Sequence, residues 1–184
     1  HGVIGKNGAG KTVLLRLLCG LMHPSKGQVI VDGKQLGKDV DFAPDAGIII
    51  ETPCFLPYLS GFQNLKELAS IRNIISKEEI AEAMEQVKLD PSSRKHVGKY
   101  SLGMRQRLGI AQAIMERPRY LILDEPMNGL DTQGMEDVRE LLQKQKETGV
   151  TVILASHSME DIRLLCDTVH RIQDASLIPC TTEF

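Results

Sequence analysis

The run Gly5-Lys6-Asn7-Gly8-Ala9-Gly10-Lys11-Thr12 fits the pattern G-x-x-x-x-G-K-[ST]. It joins a short apolar strand, "GVIG", to a helical stretch, "KTVLLRLLCGLM". Glycines at these positions let the backbone curl until successive N–H groups converge on an anion. The helix that follows adds about half a positive charge at its first turn. In that setting Asn7, Gly8 and Gly10 line a phosphate, Lys11 reaches the β- and γ-phosphates of a nucleotide, and the Thr12 hydroxyl is a magnesium ligand. A glycine-rich turn with an incidental lysine is the plain alternative; a complete match between strand and helix points to a nucleotide site.

Two acids close the apolar run "YLILDEP", at the strand end where open α/β sheets bind ligands. Asp124 is suited to hold magnesium, and Glu125 to act as general base toward an attacking water. Acids also end buried strands before ordinary turns, so the pair gains its meaning from the phosphate loop. His157 follows another apolar run, "VTVILAS", where a histidine can hydrogen-bond a γ-phosphate and hold the water and Glu125 in line. Alone it would read as a surface or capping residue. His1, His23, His96 and His170 stand in no such setting.

The stretch "YSLGMRQRLGIAQAI" reads as an amphipathic helix capped by Ser101, with Leu102, Leu108 and Ala111 toward a core and Arg105 and Arg107 toward water. Gly103 in its first turn costs on the order of 1 kcal/mol of helix stability, so something is expected to come close to the backbone there.

The elements that must position these groups alternate. "AGIIIETP", "YLILDEP" and "VTVILASHS" are apolar strands, and helices separate them, which predicts a parallel sheet wound on both faces. "QVIVDGKQL" predicts a hairpin turning at Asp32-Gly33, and "TVHRIQDASLIP" a closing one. "FQNLKELASIRNI" and "SKEEIAEAMEQVKL" are helical, the second opened by a Ser76–Glu79 capping box. No apolar strand interrupts residues 57–117, which are expected to form a small helical subdomain inside a single domain spanning 1–184.

The 184 residues are 42% hydrophobic and 25% charged, with a formal net charge of −2, a balance that gives no reason to expect nucleic-acid binding. Four scattered cysteines form no C-x-x-C pair, so a disulfide framework or zinc site is not expected and a reducing compartment fits. No apolar run approaches the ~18 residues that span a bilayer. The chain opens directly in a strand, which suggests a piece of something longer; strands missing before it should leave an open sheet edge.

Taken in order, "GKNGAGKT", "YSLGMRQR", "YLILDEP", "NGLD" and "SH" resemble the ATP-binding domains of ATP-binding-cassette (ABC) proteins, over nearly the whole chain. "SLGMRQRLGIA" looks most like the ATP-binding subunits of bacitracin- or lantibiotic-type peptide exporters. The resemblance implies an α/β P-loop NTPase fold, a mostly parallel sheet flanked by helices with a small helical subdomain, and use of ATP and magnesium. It also implies that two such domains pair head to tail. Ser101 and Gly103 of one then close over the γ-phosphate held by the other, and Asp131 of "NGLD" lies at the interface. Asp131 also suits an N-cap.

The sequence departs from the family where Leu102 and Met104 replace the signature's glycine and glutamine. Glu51 stands where the family has a magnesium-contacting glutamine; a carboxylate there either ligates the metal or repels the phosphate. The family's adenine-stacking aromatic lies upstream of these residues. Such a chain is expected to be the ATPase of a transmembrane permease, cytoplasmic and peripheral at the inner face of the membrane, with a role in antibiotic resistance. The loop "ETPCFLPYLSGF" could accept the permease or simply link lobes. A non-transport ATPase acting on nucleic acid or ribosomes, and a nucleotide-binding fragment without turnover, are the alternatives.

Overall fold

A computed structural model describes residues 1–180 of the chain. The strand pattern resolves into a six-stranded sheet of order β4-β5-β6-β1-β7-β8. Its members are β1 (Gly2–Ile4), β4 (Ala46–Ile49), β5 (Tyr120–Asp124), β6 (Thr151–Ala155), β7 (Val169–Gln173) and β8 (Ser176–Cys180). All pairs are parallel except β7 with β8. β1 lies in the interior between β6 and β7, and the sheet's edges are β4 and β8. β2 (Ile30–Val31) and β3 (Lys34–Gln35) form the expected separate hairpin. Its turn residues Asp32 and Gly33 both have positive φ, 50° and 75°, as a two-residue turn matching strand twist requires.

Period-two alternation sorts the strand residues onto two faces. Leu121, Leu123, Val152 and Leu154 join one apolar cluster, while Ile122, Ile153 and Ala155 join the other. The second face is covered by α1 (Lys11–Cys19), whose Leu15 and Cys19 are fully buried there. The first face is covered by α4 (Leu102–Ile114), α5 (Thr132–Glu147) and α6 (Met159–Leu165). Helices α2 (Gly61–Arg72) and α3 (Lys77–Gln86) pack beyond α4. Their Leu65, Ile80 and Met84 belong to the same cluster as Leu108 of α4 and the strand leucines. The helices of residues 57–117 thus share one continuous core with the sheet.

Capping boxes open both outer helices. Ser76 and Glu79 exchange hydrogen bonds as expected, and Ser60 with Gln63 does the same at α2. Ser-x-x-Gln is the same local pattern as Ser-x-x-Glu, with a neutral acceptor at its third helical position.

Two expectations about α4 need correction. Leu102 does not face the core: it is 51% exposed, because it sits at the helix tip, past the sheet. Arg107 does not face water either. Its guanidinium donates to the Val87 carbonyl at 2.9 Å and to Asp137 at 2.8 Å, because α4 runs between the end of α3 and the start of α5. That donation holds the Asp137 carboxyl below its usual range. Leu108 and Ala111 are fully buried, as expected.

Helix α4 crosses β4 at backbone distance. A Cβ on Gly47 would overlap the Ala113 carbonyl oxygen, so only glycine permits this crossing. Gly47→Ala is expected to destabilise the chain by about 3 kcal/mol, read as a lowered urea midpoint at unchanged m-value.

Candidate functional site

At the C-terminal ends of β1 and β5 the loop 5–10 and the turn after Asp124 enclose a cavity of ≈ 820 Å³. Its wall includes Lys6, Asn7, Gly8, Gly10, Lys11, Thr12, Glu51, Asp124 and Glu125. The loop owes its shape to Gly8 and Gly10, at φ 79° and 104°, where any side chain would strain the backbone. Gly10 is also the residue that opens α1, and no side chain caps that helix end. Its first N–H groups therefore have no side-chain acceptor, which suits an anion. Lys11 is buried, and its Nζ donates to the Gly5 carbonyl at 3.0 Å, arched back over the loop.

The Thr12 hydroxyl donates to Asp124 Oδ2 at 2.6 Å, and Asp124 is only 7% exposed. Two hard oxygens from one helix start and one strand end are the partial set that magnesium takes when substrate phosphates and water complete its shell. Among the described residues, no three His, Cys, Asp or Glu side chains gather to hold a metal by themselves. The donor set thus fits an ion that arrives with a nucleotide.

Glu125 has a left-handed backbone, φ 49°, a costly conformation for a non-glycine residue and one that collects at functional sites. The turn aims its carboxylate at His157, whose ring Nδ1–H donates to Oε2 at 2.8 Å and whose backbone N–H donates to the same oxygen at 3.3 Å. Glu125 and His157 are thus hydrogen-bonded to each other within the single chain. His157 itself faces a second cavity, ≈ 690 Å³, on the other side of the phosphate loop.

The remaining sequence candidates are not all brought to this centre. Glu51 lines the cavity with φ 62°, but its Oε1 lies 2.6 Å from Arg16 Nη2 and makes no hydrogen bond to Thr12 or Asp124. Ser101, Gly103 and Asp131 lie outside the cavity. Ser101 caps α4 by accepting from the Met104 N–H at 3.1 Å, and Asp131 caps α5 by accepting from the Gly134 N–H at 2.9 Å. Gly103 has a reason inside the chain: a Cβ there would come within 2.9 Å of the Gly129 carbonyl oxygen. The chain's own "NGL" turn is thus one close neighbour of Gly103.

Several supporting residues carried no sequence signal. Gln106 is buried and donates to the Pro126 carbonyl at 3.0 Å, pinning the turn that follows Glu125. Asp161 is 1% exposed and accepts from Arg139 Nη2 at 2.6 Å and Nε at 2.8 Å. Ser156 lies 3.5 Å from the other Asp161 oxygen, so this ion pair anchors the segment carrying His157. The Gln106–Pro126 and Arg139–Asp161 links join residues 20 and 22 positions apart, and spacing alone cannot reveal them.

With this geometry established, comparison with known proteins locates the chain among them. A family profile described as "ABC transporter" matches residues 1–128. The ABC transporter ATP-binding protein YybJ of Bacillus subtilis is 46% identical over 91% of this chain and 77% of its own length. The bacitracin transport ATP-binding protein BcrA of Enterococcus faecalis is 40% identical over 97% of this chain, which spans 58% of that relative. The lantibiotic transport ATP-binding protein SrtF of Streptococcus pyogenes is 34% identical over 97% of this chain and 76% of its own length. Among solved structures, an ATP-binding subunit of an ABC transporter superposes with TM-score 0.86 at 26% identity, covering 99% of this chain and 78% of its own. A dimeric ATP-binding cassette bound to ADP and Pi superposes with TM-score 0.83 at 20% identity, over 96% and 82%. The last likeness is one of fold.

The buried ion pair behind His157 makes a separable prediction. Arg139→Met strands the Asp161 carboxylate in the interior and should destabilise the chain by about 3–5 kcal/mol. Adding Asp161→Asn should recover most of that loss in chemical denaturation.

Proposed function

The chain belongs to the ABC transporter family, and we propose on that footing that it is the ATP-hydrolysing subunit of a membrane exporter. The observation that carries the reading is the Glu125–His157 hydrogen bond of 2.8 Å, formed beside the phosphate loop and the Thr12–Asp124 pair. A site built only to hold a nucleotide has no use for a strained carboxylate with its own positioning histidine.

In this reading, ATP phosphates rest on the N–H groups of residues 7–12, and Lys11 turns further donors of its ammonium group toward them. Thr12 and Asp124 hold magnesium, which when bound offsets charge on the β- and γ-phosphates. Glu125 takes the proton of the attacking water. His157 keeps one of its oxygens engaged, so that the other faces the cavity with a defined orientation.

A second copy pairs head to tail. Ser101 accepts at its cap, which leaves its O–H free to donate to a γ-phosphate on the partner, with Gly103 beside it and Asp131 at the interface. Leu56 and Tyr58 are exposed at 44% and 63%, apolar side chains on the loop that follows Glu51, suited to a transmembrane permease. No helix among the described residues is long and apolar enough to cross a membrane. In this reading the subunit works at the cytoplasmic face of the membrane, beside its permease. BcrA and SrtF carry transport names for bacitracin and lantibiotic, so a peptide antibiotic or similar amphiphile is the proposed cargo, and self-protection the outcome.

Glu125→Gln should lower kcat by about a hundredfold or more while leaving ATP bound, as measured by phosphate release and by retention of labelled nucleotide. Turnover at the original rate in that variant removes Glu125 as the base. Ser101→Arg in the Glu125→Gln background should keep nucleotide affinity and lose the ATP-dependent dimer on a sizing column.

A further inference from the structure

Glu51 and Arg16 form a pair that the catalytic assignment leaves unused. Arg16 lies one helical turn beyond Thr12, on the same side of α1. Glu51 follows β4, sits in a left-handed conformation at φ 62°, and meets Arg16 Nη2 at 2.6 Å. The side chains are 36% and 63% exposed, respectively. An ion pair that open contributes little to folding. Backbone strain at one partner makes a purely stabilising role weaker still.

The electrostatics of the cavity supply another role. Asp124 and Glu125 already face it, and a nucleoside triphosphate brings several further negative charges. A third carboxylate at Glu51 would repel that ligand unless a cation neutralised it. Lys11 is committed to the loop, through Gly5 and then through phosphate. Arg16 is the cation that Glu51 contacts.

We propose that Arg16 is a positioning residue for nucleotide binding: it neutralises Glu51 and holds its carboxylate away from Thr12 and Asp124. The inference rests on the nucleotide site proposed above. It accounts for how a glutamate is tolerated where a neutral side chain would serve, and it ties the loop leading from β4 to α2 to the helix that grips the phosphates.

The test is titration of the chain with a fluorescent ATP analogue, with and without magnesium, together with thermal midpoints. Arg16→Ala should weaken binding by about tenfold at low salt, and raised ionic strength should narrow the gap. Arg16→Lys should restore most of the affinity. In a Glu51→Gln background, Arg16→Ala should change affinity less than about twofold, because the charge it offsets is gone. Midpoints should stay within about 3 °C throughout, in keeping with an exposed pair. Equal losses with and without Glu51, no loss at all, or a fall in midpoint that tracks the affinity overturns the proposal. If the unaltered chain does not bind the analogue, the nucleotide site itself falls, an outcome distinct from binding that ignores Arg16.

Discussion

Asp124 is a carboxylate at the end of a strand whose other residues are almost wholly apolar, and it is itself nearly buried. Burying such a group is costly unless it is partnered, and the Thr12 hydroxyl provides that partner at 2.6 Å. The bond joins the last residue of β5 to the first turn of α1, the two elements that form the cavity's floor and rim. The phosphate loop cannot shift without disturbing Asp124, and β5 cannot slip in register without stranding it. Around that contact, parallel strands bring Asp124 opposite Ala155, and the chain leaving Ala155 delivers His157 to Glu125.

Helix α4 provides the mechanical counterpart. It lies against β4 at Gly47, against Pro53 at Gly109 and against the Gly129 carbonyl at Gly103. Its polar side chains reach further: Gln106 to the turn after Glu125, and Arg107 to the end of α3 and the start of α5. One helix therefore touches the loop after β4, the turn after β5 and the outer helices. A displacement of α2 and α3 by a docked partner would be felt at the carboxylates through α4, because close-packed interiors transmit shifts rather than absorb them.

Glycines near the site serve different physical ends. Gly8 and Gly10 are required by backbone conformation, since their φ values exclude ordinary side chains. Gly47 and Gly103 have ordinary backbone and are constrained by proximity: a Cβ at Gly47 would overlap the Ala113 carbonyl oxygen, and one at Gly103 would come to 2.9 Å from the Gly129 carbonyl oxygen. A sequence displays all of them alike. For Gly103 this mattered: its helix-weakening position signalled that something approaches, and the chain's own Gly129 carbonyl is one such neighbour.

The phosphate loop, the Asp124–Glu125 pair, the capping serines and the alternation of apolar strands with helices were legible in the amino-acid sequence. Each is a local pattern, and local sterics and hydrogen bonding set its geometry within a few residues. The pairing of Glu125 with His157 could be anticipated because both close strands that a parallel sheet aligns at one end. The inward turn of Arg107, the exposure of Leu102, the buried Arg139–Asp161 pair behind His157 and the capture of Glu51 by Arg16 were decided by the tertiary structure alone. All depend on which distant surface packs against a given side chain, and that is settled by burial and charge neutralisation between segments whose spacing in the chain carries no trace of their contact.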